Sequence, residues 1–295
     1  MTAVVLPLPG AEGLAAALAA PLGALPGAVE FRRFPDGESY YRIASPVQGC
    51  DVIVVAALRD PDPLALGLAF VAETAREMGA RRVGLVAPYL PYMRQDARFQ
   101  DGEAITSRTF ARFVSQAFDW LVTVDPHLHR YPALDVVYTI PSRVVPSAPA
   151  VARWVRAHVE RPVIIGPDSE SEQWAGEVAR HVGCPSQVLA KTRLGDRHVE
   201  ISLPEPGLAE GRQPVLLDDI ISSGHTMAEA VRHVCSAFGT APVCIGVHAL
   251  FAPQARELLL AAGASQVLTC NTVPDPSNAV DVLPDIAEAV RPFLG

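Results

Sequence analysis

The chain has 295 residues, 49% hydrophobic and 19% charged, so its length predicts about two domains with sizeable cores and its composition excludes a disordered protein. The net charge of −8 excludes a general nucleic-acid binder, because affinity for a phosphate backbone requires clustered Lys and Arg, and no apolar run approaches the roughly 18 residues of a membrane-spanning helix. Five scattered cysteines predict neither a disulfide framework nor a zinc site, and they indicate a reducing, cytoplasmic location.

Strand-like and helix-like runs alternate along the chain, which is typical of βαβ units and a parallel sheet. The first alternation runs through Val52–Ala57, Pro63–Met78, Arg82–Ala87, Thr106–Gln116 and Trp120–Val124. The proline-rich segment Ile140–Ala150 predicts a boundary between domains of residues 1–143 and 144–295. A second alternation follows, through Pro162–Ile165, Glu172–Val182, Gln187–Leu189, Val215–Leu217, Thr226–Ala237, Val243–Val247 and Pro253–Ala262. The pattern predicts an α/β protein of two similar halves, each a largely parallel sheet flanked by helices.

The most informative stretch is Val215–Thr226, where an apolar strand is expected to end at Leu217, just before two adjacent acids, Asp218 and Asp219. Adjacent acids at a strand end are costly unless they are solvated or paired, which counts against a merely buried strand with a helix cap. The carboxylates can accept hydrogen bonds from vicinal hydroxyls. The backbone N–H groups that follow, at the start of the next helix, favour an anion; they belong to Ser222, Ser223, Gly224 and Thr226. The stretch therefore predicts a site for a phosphorylated sugar.

Five further clusters have the residue types of a nucleotide and metal site. They are Phe34-Pro-Asp-Gly-Glu38, Pro88-Tyr-Leu-Pro-Tyr-Met-Arg-Gln-Asp-Ala-Arg98, Asp125-Pro-His-Leu-His129, Gly166-Pro-Asp168 and Lys191-Thr-Arg193. From about Phe31 to Val273 the chain resembles the ribose-phosphate diphosphokinases, or phosphoribosyl-diphosphate (PRPP) synthetases, with details closer to the archaeal-type members. The resemblance implies two phosphoribosyltransferase-like domains. It also implies an enzyme that transfers the diphosphoryl group of Mg-ATP to the 1-hydroxyl of ribose 5-phosphate, giving PRPP and AMP.

The resemblance assigns the nucleotide to the first domain. Its ATP-binding residues would be Phe34, Asp36, Glu38, Arg94, Gln95 and Asp96. An aromatic ring suits a purine face, carboxylates can accept from its exocyclic amine, and guanidinium forks orient phosphate oxygens. Taken alone, Pro-Asp-Gly is more often just a turn. In the family this loop reaches the nucleotide of a neighbouring subunit, so a homo-oligomer with a shared nucleotide site is implied.

The resemblance also implies Mg²⁺ as the cofactor, with His127, Asp125 and Asp168 as its candidate ligands. Since imidazole suits zinc, nickel or iron better than magnesium, a transition-metal pair of His127 and His129 is the alternative. Ribose 5-phosphate would be bound in the second domain by Asp168, Asp218, Asp219, Ser222, Ser223, Gly224, His225 and Thr226. Lys191 and Arg193 would be the catalytic residues, closing over the triphosphate and stabilising the charge that develops on the transferred group.

The sequence departs from the family pattern at two places in the sugar-phosphate site. His225 stands where a glycine is usual, and a positive φ there would be strained. Its imidazole could face either the phosphate or solvent. Ser169 and Glu170 follow Asp168 where relatives commonly have Gly, Ala or Lys, and an extra acid beside a phosphate would repel it.

Two other functions stay open on sequence alone. A type I phosphoribosyltransferase uses the same Asp-Asp motif to consume PRPP, but the two α/β halves and the Lys191-x-Arg193 segment count against it. A non-catalytic paralogue that regulates an active synthetase would account for the departures, whereas the retained Lys191 and His127 count against that alternative.

Overall fold

The computed structural model describes residues 2–128, 130–189, 191–194, 198–201 and 206–295. The chain divides into two compact units: unit 1 comprises Met1–Val145 and Leu283–Gly295, and unit 2 comprises Pro146–Val282. In the described part of the chain, no helix has both the length and the apolar character needed to cross a bilayer.

Unit 1 is built on a six-stranded parallel sheet in the order β2-β1-β5-β6-β7-β8, with a separate antiparallel hairpin, β3–β4. Its strands are β1 (Ala3–Pro7), β2 (Leu25–Pro26), β3 (Val29–Arg33), β4 (Ser39–Ile43), β5 (Asp51–Val55), β6 (Arg82–Val86), β7 (Trp120–Val124) and β8 (Ser142–Val145). Its first helices are α1 (Glu12–Leu22), α2 (Asp62–Glu77) and α3 (Thr106–Ala117). Every residue of β5 is buried, as expected for a parallel strand that helices cover on both faces.

Unit 2 contains a second parallel sheet, in the order β10-β9-β13-β14-β15-β16, and a second hairpin, β11–β12. Its helices are α4 (Ala148–His158), α5 (Glu172–Val182), α6 (Pro206–Ala209), α7 (His225–Phe238) and α8 (Ala255–Ala261). Its strands are β9 (Pro162–Gly166), β10 (Ser186–Val188), β11 (Lys191–Leu194), β12 (His198–Ile201), β13 (Gln213–Ile221), β14 (Val243–Ala249), β15 (Gln266–Cys270) and β16 (Asn278–Val280).

The two units share one topology. If only the strands of each main sheet are numbered, both sheets have the order 2-1-3-4-5-6, and an antiparallel hairpin follows the second strand in each. The hairpin β3–β4 of unit 1 therefore corresponds to β11–β12 of unit 2. The prediction of two similar α/β halves with parallel sheets is confirmed.

The last helix, α9 (Leu283–Val290), does not belong to the unit that precedes it in the chain. It packs in unit 1 against α1, β7 and β8, whereas a single boundary at residue 143 would place it in the second domain. Its buried face is formed by Leu283, Ile286, Ala287 and Val290. Beyond it, the ring of Phe293 stacks on that of Trp120, with 4.8 Å between centroids. The local sequence pattern predicts a helix here but not the unit in which it packs. Its packing depends on which part of a distant sheet is open to an apolar helix face.

The strand of the Asp-Asp motif is longer than predicted. The sequence predicts an end at Leu217, but β13 continues to Ile221, with Asp218 opposite Gly246 of β14 and Ile220 opposite His248. The β-branched residues after the acids favour continued pairing. Gly246 leaves room for them, since a Cβ there would lie 2.7 Å from the Ile221 side chain. The two acids therefore lie within the strand and have fixed backbones.

Candidate active site

Three carboxylates gather at one edge of the unit 2 sheet. Asp168 follows β9, which pairs in parallel with β13, the strand of Asp218 and Asp219. The N–H of Asp219 donates to Asp218 Oδ1 at 3.0 Å, and Asp219 is only 7% exposed. Burial, and then the charges of Asp219 and Asp168, raise the pKa of Asp218 well above its ordinary value. Hydroxyl donors or a cation at this edge would relieve that cost.

Asp168 lies in a turn that Ser171 closes. The Ser171 hydroxyl donates to the Asp168 carbonyl oxygen at 2.6 Å, and the Ser171 N–H donates to the same oxygen at 3.1 Å. Ser171 is completely buried, and it sits so close to Gly166 that a Cβ at Gly166 would collide with its hydroxyl. Ser169 and Glu170, which depart from the family pattern, therefore lie in a short 3-10 turn, Ser169–Ser171, that leads into α5. Ser171 is thus a positioning residue that was not predicted, although Ser followed by Glu172 is a helix-start signal.

The predicted anion loop ends at the start of α7. Gly224 has φ 77° and ψ −2°, and a Cβ there would lie 3.3 Å from the Ala255 carbonyl oxygen, so glycine is required. His225 is the first residue of α7, it is exposed, and its φ is not positive. The positive φ that would strain His225 is therefore absent, because the left-handed residue is its neighbour Gly224. Whether His225 contacts a phosphate stays a prediction.

The loop from Ser222 to Thr226 is also fixed from the neighbouring strand. The N–H of Ala252, which follows β14, donates to the Ser222 carbonyl oxygen at 3.0 Å. Because the first N–H groups of a helix have no partner within it, the start of α7 offers donors and a positive dipole end to an anion. The loop thus has the geometry of a phosphate site, with Asp218 and Asp219 on the strand before it.

Lys191 and Arg193 lie in β11, whose backbone pairs in antiparallel register with β12, Lys191 opposite Ile201 and Arg193 opposite Val199. Lys191 is the only lysine of the chain, which otherwise carries its positive charge on arginine. The sequence places this one lysine in the segment that the resemblance identifies as the catalytic loop. His129 lies outside the described residues.

In unit 1 the predicted adenine loop is the tip of the β3–β4 hairpin. The Phe34 N–H donates to the Glu38 carbonyl oxygen at 2.8 Å, and the Glu38 N–H donates to Asp36 Oδ1 at 3.2 Å. Phe34 is 38% exposed, and the Arg32 guanidinium lies 4.3 Å above both the Phe34 ring and the Tyr40 ring. The tip therefore presents an exposed aromatic ring held by a cation–π contact.

The second and third clusters meet at the carboxyl edge of the unit 1 sheet. The Val124 N–H donates to the Pro88 carbonyl oxygen at 3.0 Å, which places the loop after β6 beside Asp125, the residue after β7. Asp125 has φ 31°, an unusual conformation for a non-glycine residue, and its N–H donates to the Val145 carbonyl oxygen at 3.2 Å. Arg94 is exposed. Gln95 is tied to α3, since Thr106 Oγ1 donates to Gln95 Oε1 at 3.1 Å.

Asp96 differs from the other predicted nucleotide residues because it is 4% exposed and already engaged. Arg130 Nη1 donates to Asp96 Oδ1 at 2.7 Å, and the Tyr131 hydroxyl donates to the Asp96 carbonyl oxygen at 3.2 Å. Arg130 and Tyr131 therefore hold the loop in place, a role that the sequence analysis missed because it depends on contacts 34 and 35 residues apart. The assignment of Asp96 to ATP binding stays a prediction.

Comparison with known proteins assigns the family. Residues 3–117 match the family model of the N-terminal domain of ribose phosphate pyrophosphokinase, and residues 141–286 match that of the phosphoribosyl transferase domain. A curated ribose-phosphate pyrophosphokinase from Methanopyrus kandleri is 37% identical over 270 residues, covering 90% of this chain and 91% of the relative. The chain belongs to the ribose-phosphate pyrophosphokinase family. The predicted resemblance and the predicted enzyme class are confirmed.

Further relatives agree with this assignment. A ribose-phosphate pyrophosphokinase from Sulfolobus acidocaldarius is 33% identical over 266 residues, covering 89% of this chain and 90% of the relative. The crystal structure of phosphoribosylpyrophosphate synthetase from Mycobacterium smegmatis superposes with a TM-score of 0.86 over 99% of each chain at 24% identity. That similarity shows that the two chains share one fold over almost their whole length.

The predicted metal ligands are not gathered into a protein cage. Among the described residues, no group of three or more His, Cys, Asp or Glu side chains forms a ready metal site. Mg²⁺ does not require one, because it commonly binds through one or two carboxylates together with substrate phosphates and water. Burial, and then the charges of Asp219 and Asp168, raise the pKa of Asp218 well above its ordinary value, so acidic groups are concentrated at this edge. Carboxylate oxygens are ligands that Mg²⁺ accepts, so this donor set fits a hard cation that arrives with its substrate.

Proposed function

We propose that this chain transfers the diphosphoryl group of Mg-ATP to the 1-hydroxyl of ribose 5-phosphate, giving PRPP and AMP. The observation that carries the proposal is the pairing of Asp218 and Asp219 on β13 with the glycine-capped start of α7. The carboxylates accept hydrogen bonds from the ribose hydroxyls, and the loop from Ser222 to Thr226 donates to the 5-phosphate. Binding energy from that remote phosphate orients the 1-hydroxyl, which is the entropic part of catalysis.

The nucleotide is bound by groups that do not themselves react. The exposed Phe34 ring stacks on the base, Asp36 and Glu38 accept from its exocyclic amine, and Arg94 with Gln95 orients the phosphates. Lys191 and Arg193 stabilise negative charge on the transferred group. Positioning and electrostatics do most of the work in phosphoryl transfer, so no covalent intermediate is needed.

Mg²⁺ is the proposed cofactor. When bound, it would neutralise charge on phosphate oxygens. In unit 2, Asp168, in the turn that Ser171 fixes, would be a candidate ligand. In unit 1, His127 and Asp125, which follow β7, would be candidate ligands. The location we propose is the cytoplasm, since all five cysteines are described as thiols.

The deciding experiment separates the synthetase from a phosphoribosyltransferase. Purified protein with Mg²⁺, ATP and ribose 5-phosphate is expected to form AMP and PRPP in equal amounts. Chromatography of the nucleotides measures the first product and a coupled transferase measures the second. If no AMP forms and PRPP disappears when a nucleobase is added, the chain is a transferase. Nucleotide binding without either reaction would indicate the non-catalytic paralogue.

Self-association is the second part of the proposal. On α2, Leu66 is 63% exposed and Phe70 is 45% exposed, and residues four apart share one helix face. The Phe70 ring lies 6.2 Å from that of Tyr41 on β4. Strand β4 belongs to the β3–β4 hairpin, which carries Phe34 at its tip. An exposed apolar face of this kind marks an interaction site. We propose that a second copy covers it and that the hairpin tip serves the nucleotide of that copy.

Mixing two inactive variants tests the shared site. Phe34→Ala removes the base contact and Lys191→Ala removes the catalytic charge, so each variant alone is expected to have low activity. After subunit exchange, random assembly should make about a quarter of the active sites fully native. Each site would take its β3–β4 hairpin from one subunit and its Lys191 from another. The rate of AMP formation measures the recovery.

The control for this experiment mixes Lys191→Ala with Asp219→Asn, both in unit 2. Such a mixture contains no fully native site if both residues act within one subunit, so its rate should equal the mean of the two variants alone. A mixture of Phe34→Ala and Lys191→Ala that also shows only the mean rate would contradict the shared nucleotide site.

A further inference from the structure

A cavity of about 650 Å³ opens at the amino-terminal ends of the unit 2 strands. It is lined by residues that directly precede or begin these strands, among them Arg161 before β9, Arg212 before β13 and Ser265 before β15. Parallel strands all begin at one edge of their sheet, whereas Asp219 and the start of α7 lie toward the opposite edge. The cavity is therefore remote from the proposed pentose site within the same unit. Its volume suits a small organic ligand.

Backbone geometry brings the two arginines together. Gln213 is paired with Pro162, and the Gln213 N–H donates to the Arg161 carbonyl oxygen at 3.1 Å, so Arg161 and Arg212 enter adjacent strands side by side. Arg161 has φ 46°, and Gly211 has φ 64°. A Cβ at Gly211 would lie 2.7 Å from Arg161 Nη1, so the guanidinium packs directly over the glycine backbone. A non-glycine residue held in this conformation points to a functional constraint.

Among the described residues, the arginines of the cavity have no acidic partner. Within the part of the chain that the structure describes, no carboxylate lies at salt-bridge distance from Arg161 or Arg212. The hydrogen bond that Arg161 donates goes to the Glu210 carbonyl oxygen at 3.5 Å. Glu160 is the one carboxylate in the lining, so the lining is net positive in a chain of net charge −8. Guanidinium forks match phosphate geometry, and an anion would satisfy both.

The other wall of the cavity is aromatic. The rings of Trp154 and His158 stack at 4.6 Å with an interplanar angle of 14°, and His158 Nδ1 is hydrogen-bonded to the Trp154 carbonyl oxygen at 2.8 Å. Phe238 also contributes to this wall. In this stack each ring keeps one free face, and such a face can stack on a planar heterocycle. Gln213 donates its amide hydrogens to the Ala241 carbonyl oxygen at 2.8 Å and to the Pro214 carbonyl oxygen at 3.3 Å, which leaves its amide oxygen as an acceptor for an exocyclic amine.

We propose that this cavity binds a nucleoside monophosphate, with its phosphate on Arg161 and Arg212 and its base against Trp154 and His158. The ligand class follows from the pairing of two guanidinium groups, neither of which is matched by a carboxylate among the described residues, with an aromatic stack in one cavity of suitable volume. The inference does not rest on the proposed reaction, because it uses no residue of the proposed active site.

Fluorescence titration with AMP tests the site. In a Trp174→Phe background the emission comes from Trp154 and from Trp120, which is 2% exposed and lies in unit 1. AMP is expected to quench this emission saturably. The double variant Arg161→Gln/Arg212→Gln should weaken the affinity at least about 10-fold, since it removes charge-assisted hydrogen bonds. Adenosine, which has no phosphate, should bind wild type at least about 10-fold more weakly than AMP does.

The matched control is Arg180→Gln, because Arg180 is 71% exposed on α5 and does not line the cavity. Its AMP affinity should equal that of wild type. Circular dichroism checks folding, and if the double variant is unfolded, Arg212→Gln alone should still weaken AMP binding. Equal AMP affinity in the folded arginine variant and wild type would overturn the proposal, as would equal affinity for adenosine and AMP. With no ATP or ribose 5-phosphate present, failure of the proposed reaction would leave these results unchanged.

Discussion

Replacing Lys191 by alanine is expected to lower the turnover of AMP formation by about 100- to 1,000-fold. The nucleotide dissociation constant should change by less than about 5-fold, because a single charge contact contributes little to ground-state binding. A large effect on turnover with a small effect on binding is typical of a group that acts on charge developing in the transition state. Steady-state rates and equilibrium titration with ATP measure the two quantities.

The single lysine of the chain supplies a second readout. An amine-selective acylating reagent can modify only Lys191 and the chain's terminal amine, and the modified peptide identifies the site. ATP with Mg²⁺ is expected to slow the modification of Lys191 if the hairpin closes over the nucleotide. Unchanged turnover in Lys191→Ala would remove β11 from the catalytic machinery.

Lys191→Arg is the matched control for this substitution. It retains the positive charge but replaces a compact ammonium group by a planar fork, so turnover should lie between those of wild type and Lys191→Ala. Turnover as low as that of Lys191→Ala would show that the geometry of the amine matters more than its charge. Far-UV circular dichroism of both variants checks that the unit 2 fold is intact.

Replacing Asp218 by asparagine is expected to abolish most activity while raising the stability of the ligand-free protein. The pKa of Asp218 is raised by burial and by the charges of Asp219 and Asp168, so the ionised carboxylate destabilises the folded state. Asparagine is nearly isosteric and removes that charge. At neutral pH we expect a gain of about 0.5–2 kcal/mol in the free energy of unfolding, typical of relieving a strained functional site. Activity should fall at least about 100-fold.

The pH dependence gives the sign of this effect. A carboxyl group whose pKa is raised in the folded state favours folding at low pH, and that contribution is lost as pH rises through the folded pKa. Asp218→Asn has no carboxyl group at this position and does not lose stability in this way. The difference in the free energy of unfolding between the variant and wild type should therefore be small near pH 4 and largest at neutral pH and above. Thermal unfolding of both proteins across this range measures the difference. A stability difference that is independent of pH would show that Asp218 is not destabilised by its charge.

Asp101→Asn is the control for the loss of one acid, because Asp101 is exposed in a loop of unit 1. Its unfolding temperature should match that of wild type at every pH. Adding Mg²⁺ with ribose 5-phosphate should narrow the difference in unfolding temperature between wild type and Asp218→Asn. Both ligands compensate the charge of the Asp218 carboxylate, which only wild type carries.

Most of the fold follows from periodicity, because apolar runs of strand length alternate with amphipathic helices in both halves. The end of β13 did not follow, since acids in an apolar strand oppose the local propensity and only pairing with β14 keeps Ile220 and Ile221 in the ladder. The position of α9 depended on a contact with strands far away in the chain. Local pattern thus predicts element type better than it predicts where an element packs.

The candidate site divides in the same way. The residues expected to touch substrate stand in short contiguous motifs, so Asp218, Asp219 and Gly224 could be predicted from residue type and spacing. Ser171 and Arg130 could not, because they act through the residues that they position. The presence of one lysine in 295 residues was available from composition alone, and it points to the same hairpin as the family resemblance.

The return of α9 to unit 1 has a consequence for biosynthesis. Unit 2 is contiguous in the chain, whereas unit 1 needs a helix that is translated after all of unit 2. The flank of the unit 1 sheet that α9 covers stays open until that helix has left the ribosome. The amino-terminal half of the polypeptide therefore cannot be completed before the carboxyl-terminal half has been synthesised, which departs from the usual order in which an amino-terminal domain folds first.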